Sequence, residues 1–230
     1  MTTSLDRILD ALPPPEPTPP DGLPLGNRMD VFEELVYITL TLMTRSQTSI
    51  TAAWDGLMEL TGGRLEDLDR CDQQELELAL RPVGFARKRS QQLSEIAALV
   101  RPLDSWVEEL RTLPTEDVLE RLERLPGVGP KTAKCVAMYS LERSVLPVDI
   151  HVLRVAKRLG LVASDATWSS ADKLLEASVP DALKHDVHVQ FVVHGRAICT
   201  SSRPGCERCP LDQLCPSAGT IGEPRRAIGG

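Results

Sequence analysis

The segment LPGVGPKTA, residues 125–133, lies between two amphipathic helical patterns and predicts a tight turn between two helices. Its two glycines allow backbone conformations that other residues avoid. Pro130 suits the first position of a helix, where the missing N–H of proline is not needed. The second helix would then present free N–H groups and its positive dipole end beside Lys131 and Lys134, which favours phosphate binding. The plain alternative is an ordinary helix–turn–helix corner.

Helical patterns continue on both sides of this turn, and the whole chain predicts an all-α fold of about ten short helices. The stretch VFEELVYITLTLMT is apolar nearly all round, as a central buried helix should be. No pair of alternating runs joined by a hairpin turn is present. The strongest chain break is the extended step RSVLPV at 143–148. The predicted helices are 4–11, 31–44, 50–60, 72–84, 87–102, 115–126, 130–141, 149–160, 169–180 and 181–199.

The 230-residue chain has a net charge of −7, which by itself argues against binding to nucleic acid. However, the basic residues are segregated: residues 81–103 hold five bases and one acid, and residues 126–164 hold six bases and two acids. No apolar run reaches the roughly 18 residues of a membrane helix, and the N-terminus has no secretory signal. We therefore expect a soluble cytoplasmic protein, nucleoid-associated if it binds DNA, with no membrane partner.

Four of the six cysteines fall within 17 residues, in the pattern Cys199-x6-Cys206-x2-Cys209-x5-Cys215. In a cytoplasmic chain such a group is more typical of a metal site than of disulfides. From the spacing alone, tetrahedral zinc and a [4Fe–4S] cluster are both compatible. The isolated Cys71 and Cys135 are expected to be small core residues.

The 125–133 turn resembles the helix-hairpin-helix motif of the endonuclease III family of DNA glycosylases. In that family LPGVGRKTA is followed, 18 residues after its lysine, by the aspartate of VDTH. Here Asp149 of VDIH stands 18 residues after Lys131. The cysteine spacing, with His-Gly-Arg at 194–196 before it, also matches the family's cluster loop. The resemblance spans roughly residues 30–216 and implies a [4Fe–4S] cluster on the four cysteines.

The resemblance implies that Lys131 is a Schiff-base nucleophile and that Asp149 assists it. An amine that attacks C1′ of deoxyribose must be partly unprotonated, and neighbouring cations lower the proton affinity of a lysine. A carboxylate stabilises the cationic sugar that develops as the base leaves. The simpler interpretation of Asp149 is a helix N-cap, a role compatible with catalysis. His151 is expected to be a structural hydrogen-bonding residue.

Two further segments resemble the family's DNA contacts. The first, RPVGFARKR at 81–89, resembles the loop that wedges into the duplex when the damaged base swings out, and it places three cations after Phe85 and Ala86. The alternative is a solvated basic helix start with Phe85 packed inward. The second, TRSQTS at 44–49, resembles the family's SAQATD, with Gln47 aligned with the family's glutamine. It departs from the family at Arg45, which replaces a small residue, and at the next position after the segment, where Ile50 stands in place of the family's aspartate. The DNA contacts implied are Arg45, Gln47, Phe85, Ala86, Arg87, Lys88, Gly127, Val128, Gly129, Lys134 and Arg203.

The family resemblance implies two helical domains with the active site in the cleft between them. Residues 30–143 would form a six-helix barrel with the hairpin, and residues 1–29 and 144–230 a domain carrying the cluster loop at 199–215. We expect a monomeric base-excision glycosylase and abasic-site lyase acting on double-stranded DNA, with oxidised or saturated pyrimidines as substrates. The alternatives are an alkylated-purine glycosylase of the same superfamily and a non-catalytic DNA-binding iron–sulfur protein.

Overall fold

The computed structural model describes residues 2–14, 16–17, 22–44 and 46–220. Within these residues the chain forms eleven α-helices and five short 3₁₀ helices, with no β-strand, which confirms the all-α prediction. The α-helices are α1 (Thr2–Ala11), α2 (Val31–Thr41), α3 (Gln47–Leu60), α4 (Gln73–Leu80), α5 (Ala86–Leu99), α6 (Leu103–Thr112), α7 (Thr115–Glu123), α8 (Pro130–Ser140), α9 (Ile150–Arg158), α10 (Trp168–Ser178) and α11 (Lys184–Ala197). Among the described residues no helix is both long and apolar enough to cross a bilayer.

Helix α6 is absent from the sequence prediction, which closed the preceding helix at Pro102 and left residues 103–112 unassigned. In the structure Pro102 is the N-cap of α6, with extended backbone angles, and the next helix starts immediately after it. Trp106 and Leu110, four residues apart, bury one face of α6. Proline is disfavoured inside a helix but well tolerated at the start of one, so the chain needs only residues 100–102 to connect α5, which ends at Leu99, to α6.

The chain divides into two compact units, a central unit, Thr18–Arg143, and a terminal unit that joins Met1–Pro17 to Ser144–Gly230. In the central unit the apolar helix α2 packs against α3 and α8, and α4 packs against both α3 and α5. The hairpin helices α7 and α8 pack against each other. The side chains of Leu35, Val36 and Leu40 on α2 are completely buried, as expected for a central helix.

The central unit contains seven α-helices, one more than the six-helix barrel implied by the resemblance, because α6 adds to the six predicted there. It also includes residues 22–29, which the sequence prediction grouped with the cluster domain. Arg28 holds this segment in place: its guanidinium lies over the rings of Tyr37 and Trp54, 4.6 and 4.5 Å from their centroids. Within the predicted polyproline connector at 13–24, Pro15 and residues 18–21 lie outside the described residues.

The terminal unit is built on α9 and α11, which pack against each other, with α1 covering part of α11. Gly195 of α11 makes this packing close, because a Cβ there would lie 2.9 Å from the Cβ of His151 on α9. The unit begins with an extended segment, residues 144–149, that leads directly into α9. The cysteine loop follows α11.

Candidate active site

The turn between α7 and α8 is shaped by one glycine rather than two. Gly127 has a φ of +68°, a conformation in which a residue with a side chain would be strained, and a Cβ there would lie 2.8 Å from the side-chain amide of Gln92, which would have to shift. Gly129 is extended, with a φ of −102°, and a Cβ there would meet no atom within 4 Å. Of the two glycines that the sequence offers for unusual dihedrals, only Gly127 adopts one. Leu125 and Val128 are buried and anchor the turn.

Helix α8 begins as the sequence predicts, with Gly129 as N-cap and Pro130 in the first turn. The N–H of Ala133 reaches back to the carbonyl of Gly129 at 3.0 Å, which is the first intrahelical bond of α8. The helix residues ahead of Ala133 have no such acceptor within α8, so their N–H groups and the helix dipole make this end suitable for an anion. The start of α8 is compatible with a phosphate site, which stays a prediction.

The two lysines of α8 differ in exposure. Lys131, in the first turn, is half-buried, whereas Lys134 is only 7% exposed. A lysine this buried presents little of its side chain to a DNA backbone, so the structure gives the predicted DNA contact at Lys134 no support. Of the two amines, Lys131 is the better placed to meet a substrate.

Asp149 caps helix α9. Its Oδ1 accepts hydrogen bonds from the backbone N–H groups of His151 and Val152, both at 2.8 Å. Among the described residues its Oδ2 accepts no hydrogen bond, and the side chain is half-buried. His151 bonds to Arg154 through Nδ1 at 2.9 Å, in keeping with a structural role, and burial lowers its pKa. Lys131 belongs to the central unit and Asp149 to the terminal unit, and the predicted cleft between them stays a prediction.

The predicted wedge loop presents Phe85 to solvent. Phe85 has a φ of +52° and is 67% exposed, which excludes the alternative in which its ring packs inward. An exposed phenylalanine in a left-handed conformation is unusual, because phenylalanine side chains are mostly buried and bulky residues avoid a positive φ. Ala86 starts α5, and Arg87 and Lys88 follow it on the surface.

The third cation of this loop, Arg89, is not available to DNA. It is 5% exposed, and its guanidinium donates to the carbonyls of Leu40, at 3.0 Å, and Leu42. Burial lowers its pKa. Thr44 Oγ1 also donates to the carbonyl of Val83 at 3.1 Å. These bonds join the end of α2 and the loop that follows it to Val83 and to the start of α5. Arg89 therefore supports the predicted contact surface from the protein interior.

The loop that resembles SAQATD is only partly described. Gln47 is the first residue of α3 and is exposed, while Arg45 lies outside the described residues. Ser46 caps α3 by accepting from the N–H of Ser49 at 3.2 Å. Ile50, which stands where the family has aspartate, is buried on α3. Its apolar character is therefore explained by packing.

The four clustered cysteines line one pocket in the terminal unit, which is partly open to solvent. All four are free thiols. Burial raises the pKa of Cys209 and Cys215, and the charges of the neighbouring cysteines act in the same direction. Among the described residues no group of three or more His, Cys, Asp or Glu side chains is already arranged to hold a metal ion. The thiols share one pocket without adopting ligand geometry.

Two arginines of α9, which the sequence analysis did not single out, hold the start of the cysteine loop. Arg154 donates to the carbonyls of Gly195 and Cys199, both at 2.8 Å. Arg158 donates to Cys199 Sγ at 3.2 Å and to the carbonyl of Thr200 at 2.7 Å. Their spacing of four residues, which places both on one face of a helix, was the signal available in the sequence.

The remaining sequence-predicted residues have more ordinary surroundings. Arg203 is exposed in the loop between the first two cysteines, and its carbonyl accepts from Thr200 Oγ1 at 2.6 Å. Cys135 is buried, as predicted, but Cys71 is only half-buried, with its thiol directed at the carbonyl of Asp67. Burial and nearby acids raise the pKa of Cys71.

Comparison with known families gives a match to one model, described as the HhH-GPD superfamily base excision DNA repair protein, over residues 40–181. This range contains the wedge loop, the hairpin, Lys131 and Asp149, but ends before the cysteine loop. It covers more than half of the chain.

Individual relatives agree with this match. The chain is 31% identical over 175 residues to a putative DNA glycosylase of Arabidopsis thaliana, covering 75% of this chain and 59% of that protein. It is 30% identical over 187 residues to endonuclease III of Thermotoga maritima, covering 81% and 83% of the two chains. The chain thus spans less than two thirds of the Arabidopsis relative's length. A solved endonuclease III–DNA covalent intermediate, an estranged-adenine complex, matches with a TM-score of 0.71 and 27% identity, covering 84% of this chain and 86% of that one.

Proposed function

Because the chain belongs to the HhH-GPD superfamily of base excision DNA repair proteins, we propose that it is a DNA N-glycosylase with abasic-site lyase activity. The observation that carries this proposal is the position of Lys131 in the first turn of α8, directly behind the Gly127 turn. That turn offers N–H groups to a DNA phosphate, and the phosphate would bring the neighbouring sugar to the lysine. A DNA-binding module alone would need no amine at this place.

The reaction we propose begins with the unprotonated Nζ of Lys131 attacking C1′ of the damaged nucleotide. The C1′–N bond to the base breaks, and the base leaves with the bonding electrons and a proton. Nζ then loses a proton, the C1′–O4′ bond of the sugar ring breaks while O4′ takes up a proton, and Nζ and C1′ form an iminium ion. Loss of a proton from C2′ and departure of the 3′ phosphate cleave the strand by β-elimination, and water later releases Lys131.

Asp149 has two tasks in this scheme. Its Oδ1 fixes the carboxylate by capping α9, and Oδ2 is left to face the developing positive charge on the sugar and to carry protons. Covalent trapping of DNA by the structurally similar endonuclease III supports a Schiff base of this kind. For substrates we propose oxidised or saturated pyrimidines in double-stranded DNA, because bases that have lost aromatic stacking are easier to extrude.

We further propose that Cys199, Cys206, Cys209 and Cys215 hold a [4Fe–4S] cluster. Four thiols that line one pocket and have no disulfide partners fit a group whose irons bind thiolate. When bound, the cluster supplies four iron–sulfur bonds that cross-link the loop after α11. Arg154 and Arg158 hold the first part of that loop from α9. The protein would act in the cytoplasm as a monomer.

Incubation with abasic duplex DNA and borohydride tests this function. Hydride reduces the iminium C=N bond to a stable amine, so the protein should become covalently joined to the DNA. Omitting borohydride should leave a nicked strand and no adduct. A protein with its metal site loaded that neither nicks nor becomes trapped on abasic DNA would rule out the lyase proposal.

A further inference from the structure

The segment from Ser144 to Val148 belongs to no helix or sheet and leads from the start of the second part of the terminal unit to Asp149. Ser144 is exposed, whereas Val145, Leu146, Pro147 and Val148 are all buried. Backbone polar groups in such a segment have no regular partners, and leaving them unpaired in the interior is unfavourable. Side chains from elsewhere in the fold can supply hydrogen bonds to such groups.

Four side chains of α10 and α11 supply these bonds, one for each residue of the segment except Val145. Trp168 Nε1 donates to the carbonyl of Val148 at 2.8 Å. His188 Nδ1 lies 2.7 Å from the carbonyl of Pro147 and must carry the proton, since a carbonyl only accepts. Glu176 Oε2 accepts from the N–H of Leu146 at 3.0 Å, and Lys184 Nζ donates to the carbonyl of Ser144 at 3.2 Å.

Two of the four side chains also form an ion pair. Lys184 Nζ lies 2.7 Å from Glu176 Oε1 and 2.8 Å from Asp181 Oδ1, and the Lys184 side chain is only 8% exposed. Burial acts to lower the pKa of Lys184, but the bonds to Asp181 and Glu176 outweigh it and raise the pKa. A buried ion pair contributes little stability over apolar packing, yet its geometry is specific. Glu176 uses one oxygen for Lys184 and the other for the segment, so the pair sets the register of the segment.

The last clamped carbonyl, that of Val148, belongs to the peptide group that leads into Asp149. Asp149 in turn holds its carboxylate by bonds to the first N–H groups of α9. We infer that Trp168, Glu176, Lys184 and His188 are positioning residues for Asp149, which fix the carboxylate by clamping the backbone before it. This inference rests on the proposed function in that Asp149 is the assisting carboxylate. A misplacement of about 1 Å at a reacting group can lower a rate about 100-fold.

The cleanest test removes one hydrogen bond and little volume. Trp168→Phe keeps an aromatic ring but deletes the donor to Val148. In single-turnover assays on a lesion-containing duplex, we expect base removal to slow about tenfold, since one of four anchors is lost. Affinity for a duplex with an uncleavable abasic analogue should stay within about twofold, because no DNA-facing group changes.

Trp106→Phe on α6 is the matched control. Trp106 is buried, donates no hydrogen bond among the described residues and lies in the central unit. The Trp106→Phe variant should leave both the rate of base removal and the affinity for DNA unchanged. A second series uses Glu176, where Glu176→Gln keeps an acceptor for Leu146 and should preserve more activity than Glu176→Ala. Thermal melting of every variant shows whether it is folded at the assay temperature.

Amide hydrogen exchange separates this inference from the proposed function. The N–H groups of His151 and Val152 report the Asp149 cap whether or not the protein is an enzyme. We expect both to exchange about tenfold faster in Trp168→Phe than in wild type or Trp106→Phe. Unchanged exchange at these amides would overturn the inference, as would an unchanged rate of base removal in an active protein. If the wild-type protein neither removes bases nor becomes trapped by borohydride, the proposed function is contradicted. The exchange result then still shows whether the four side chains position Asp149.

Discussion

The Oδ1 atom of Asp149 lies 2.8 Å from the backbone nitrogen of Val152, three residues further along α9. This is an N-cap bond, and the same oxygen also accepts from His151. One carboxylate oxygen thus meets the local needs of the helix, while the other is left without a partner among the described residues. The capping interpretation and the catalytic one are therefore compatible because they use different atoms of one side chain.

Asp149→Asn and Asp149→Ala should separate these two roles. The asparagine variant keeps a side-chain oxygen that can cap α9, so its free energy of unfolding should stay within a few tenths of a kcal/mol of wild type. The free energy of unfolding of the alanine variant should fall by about 1 kcal/mol. Base removal should fall at least about 100-fold in both, because both lack the charge. Denaturant unfolding and single-turnover kinetics measure the two effects. An asparagine variant with full activity would show that the charge of Asp149 is not used.

Lys131→Gln should abolish borohydride trapping on abasic DNA but leave DNA binding largely intact, since the N–H groups of the hairpin remain. Lys134→Gln is the matched control three residues away, and the folded fraction of that variant should still be trapped, because Lys134 is only 7% exposed. Denaturing gels of the covalent adduct make the measurement. Full trapping by Lys131→Gln, lost only when Lys134 is also changed, would mean that the nucleophile is Lys134.

The double substitution of Arg87 and Lys88 by alanine should weaken binding to damaged and undamaged duplex alike. If both contact phosphates, the slope of log affinity against log salt concentration should fall by about two. Arg64 and Arg70 provide the control, since their replacement makes the same change in net charge but removes cations paired with Asp67. Binding titrations at several salt concentrations compare the pairs. Equal slopes for wild type and the Arg87/Lys88 variant would remove this loop from the contact surface.

Phe85→Ala should slow base removal about tenfold from a fully paired duplex, because filling the gap left by an extruded base offsets part of the few kcal/mol of extrusion. The loss should be smaller when the damaged base is already unpaired. Stability should change by less than about 0.5 kcal/mol, because the ring is exposed. Leu99→Ala, at the other end of α5 and 62% exposed, is the control and should change neither quantity. Equal rates for Phe85→Ala and wild type on paired DNA would exclude the wedge.

Purified protein made with adequate iron should be yellow-brown, absorb near 400 nm and contain about four irons per chain, as a [4Fe–4S] cluster requires. Cys206→Ser should lower the iron content and the absorbance together. Cys71→Ser is the matched control, because this half-buried cysteine lies outside the pocket and should leave both unchanged. Metal analysis that finds stoichiometric zinc and no iron would replace the cluster by a structural zinc site.

Local sequence patterns predict much of the fold, and they fail at α6. Apolar spacing predicts α2 and the helices of the hairpin, and the capping residue Asp149 predicts where α9 begins. Helix α6 was missed because Pro102 was interpreted only as the stop of the preceding helix, whereas that helix ends at Leu99 and Pro102 is the N-cap of α6. No local signal distinguishes a proline that closes a helix from one that closes and reopens it.

The candidate site shows the same division. The four-cysteine loop and LPGVGPKTA are short local motifs. Each is recognised from residues that lie close together in the chain, so sequence alone identifies both. Which cations face solvent is a different matter: Arg87, Lys88 and Arg89 are consecutive and chemically alike, yet Arg89 turns inward to the carbonyls of α2's end. Only packing separates them.

Residue type and spacing were therefore enough to predict the helical class, the turn between two helices and the cysteine group, and the family resemblance added the pairing of Lys131 with Asp149 as a hypothesis. Tertiary structure decided that Phe85 is exposed, that Lys134 is buried, and that the backbone before Asp149 is held by Trp168 and three other side chains. The reason is physical. Helix caps and turns are satisfied by residues within four positions, whereas these long-range hydrogen bonds depend on partners 20 to 41 residues away that only the folded chain brings together.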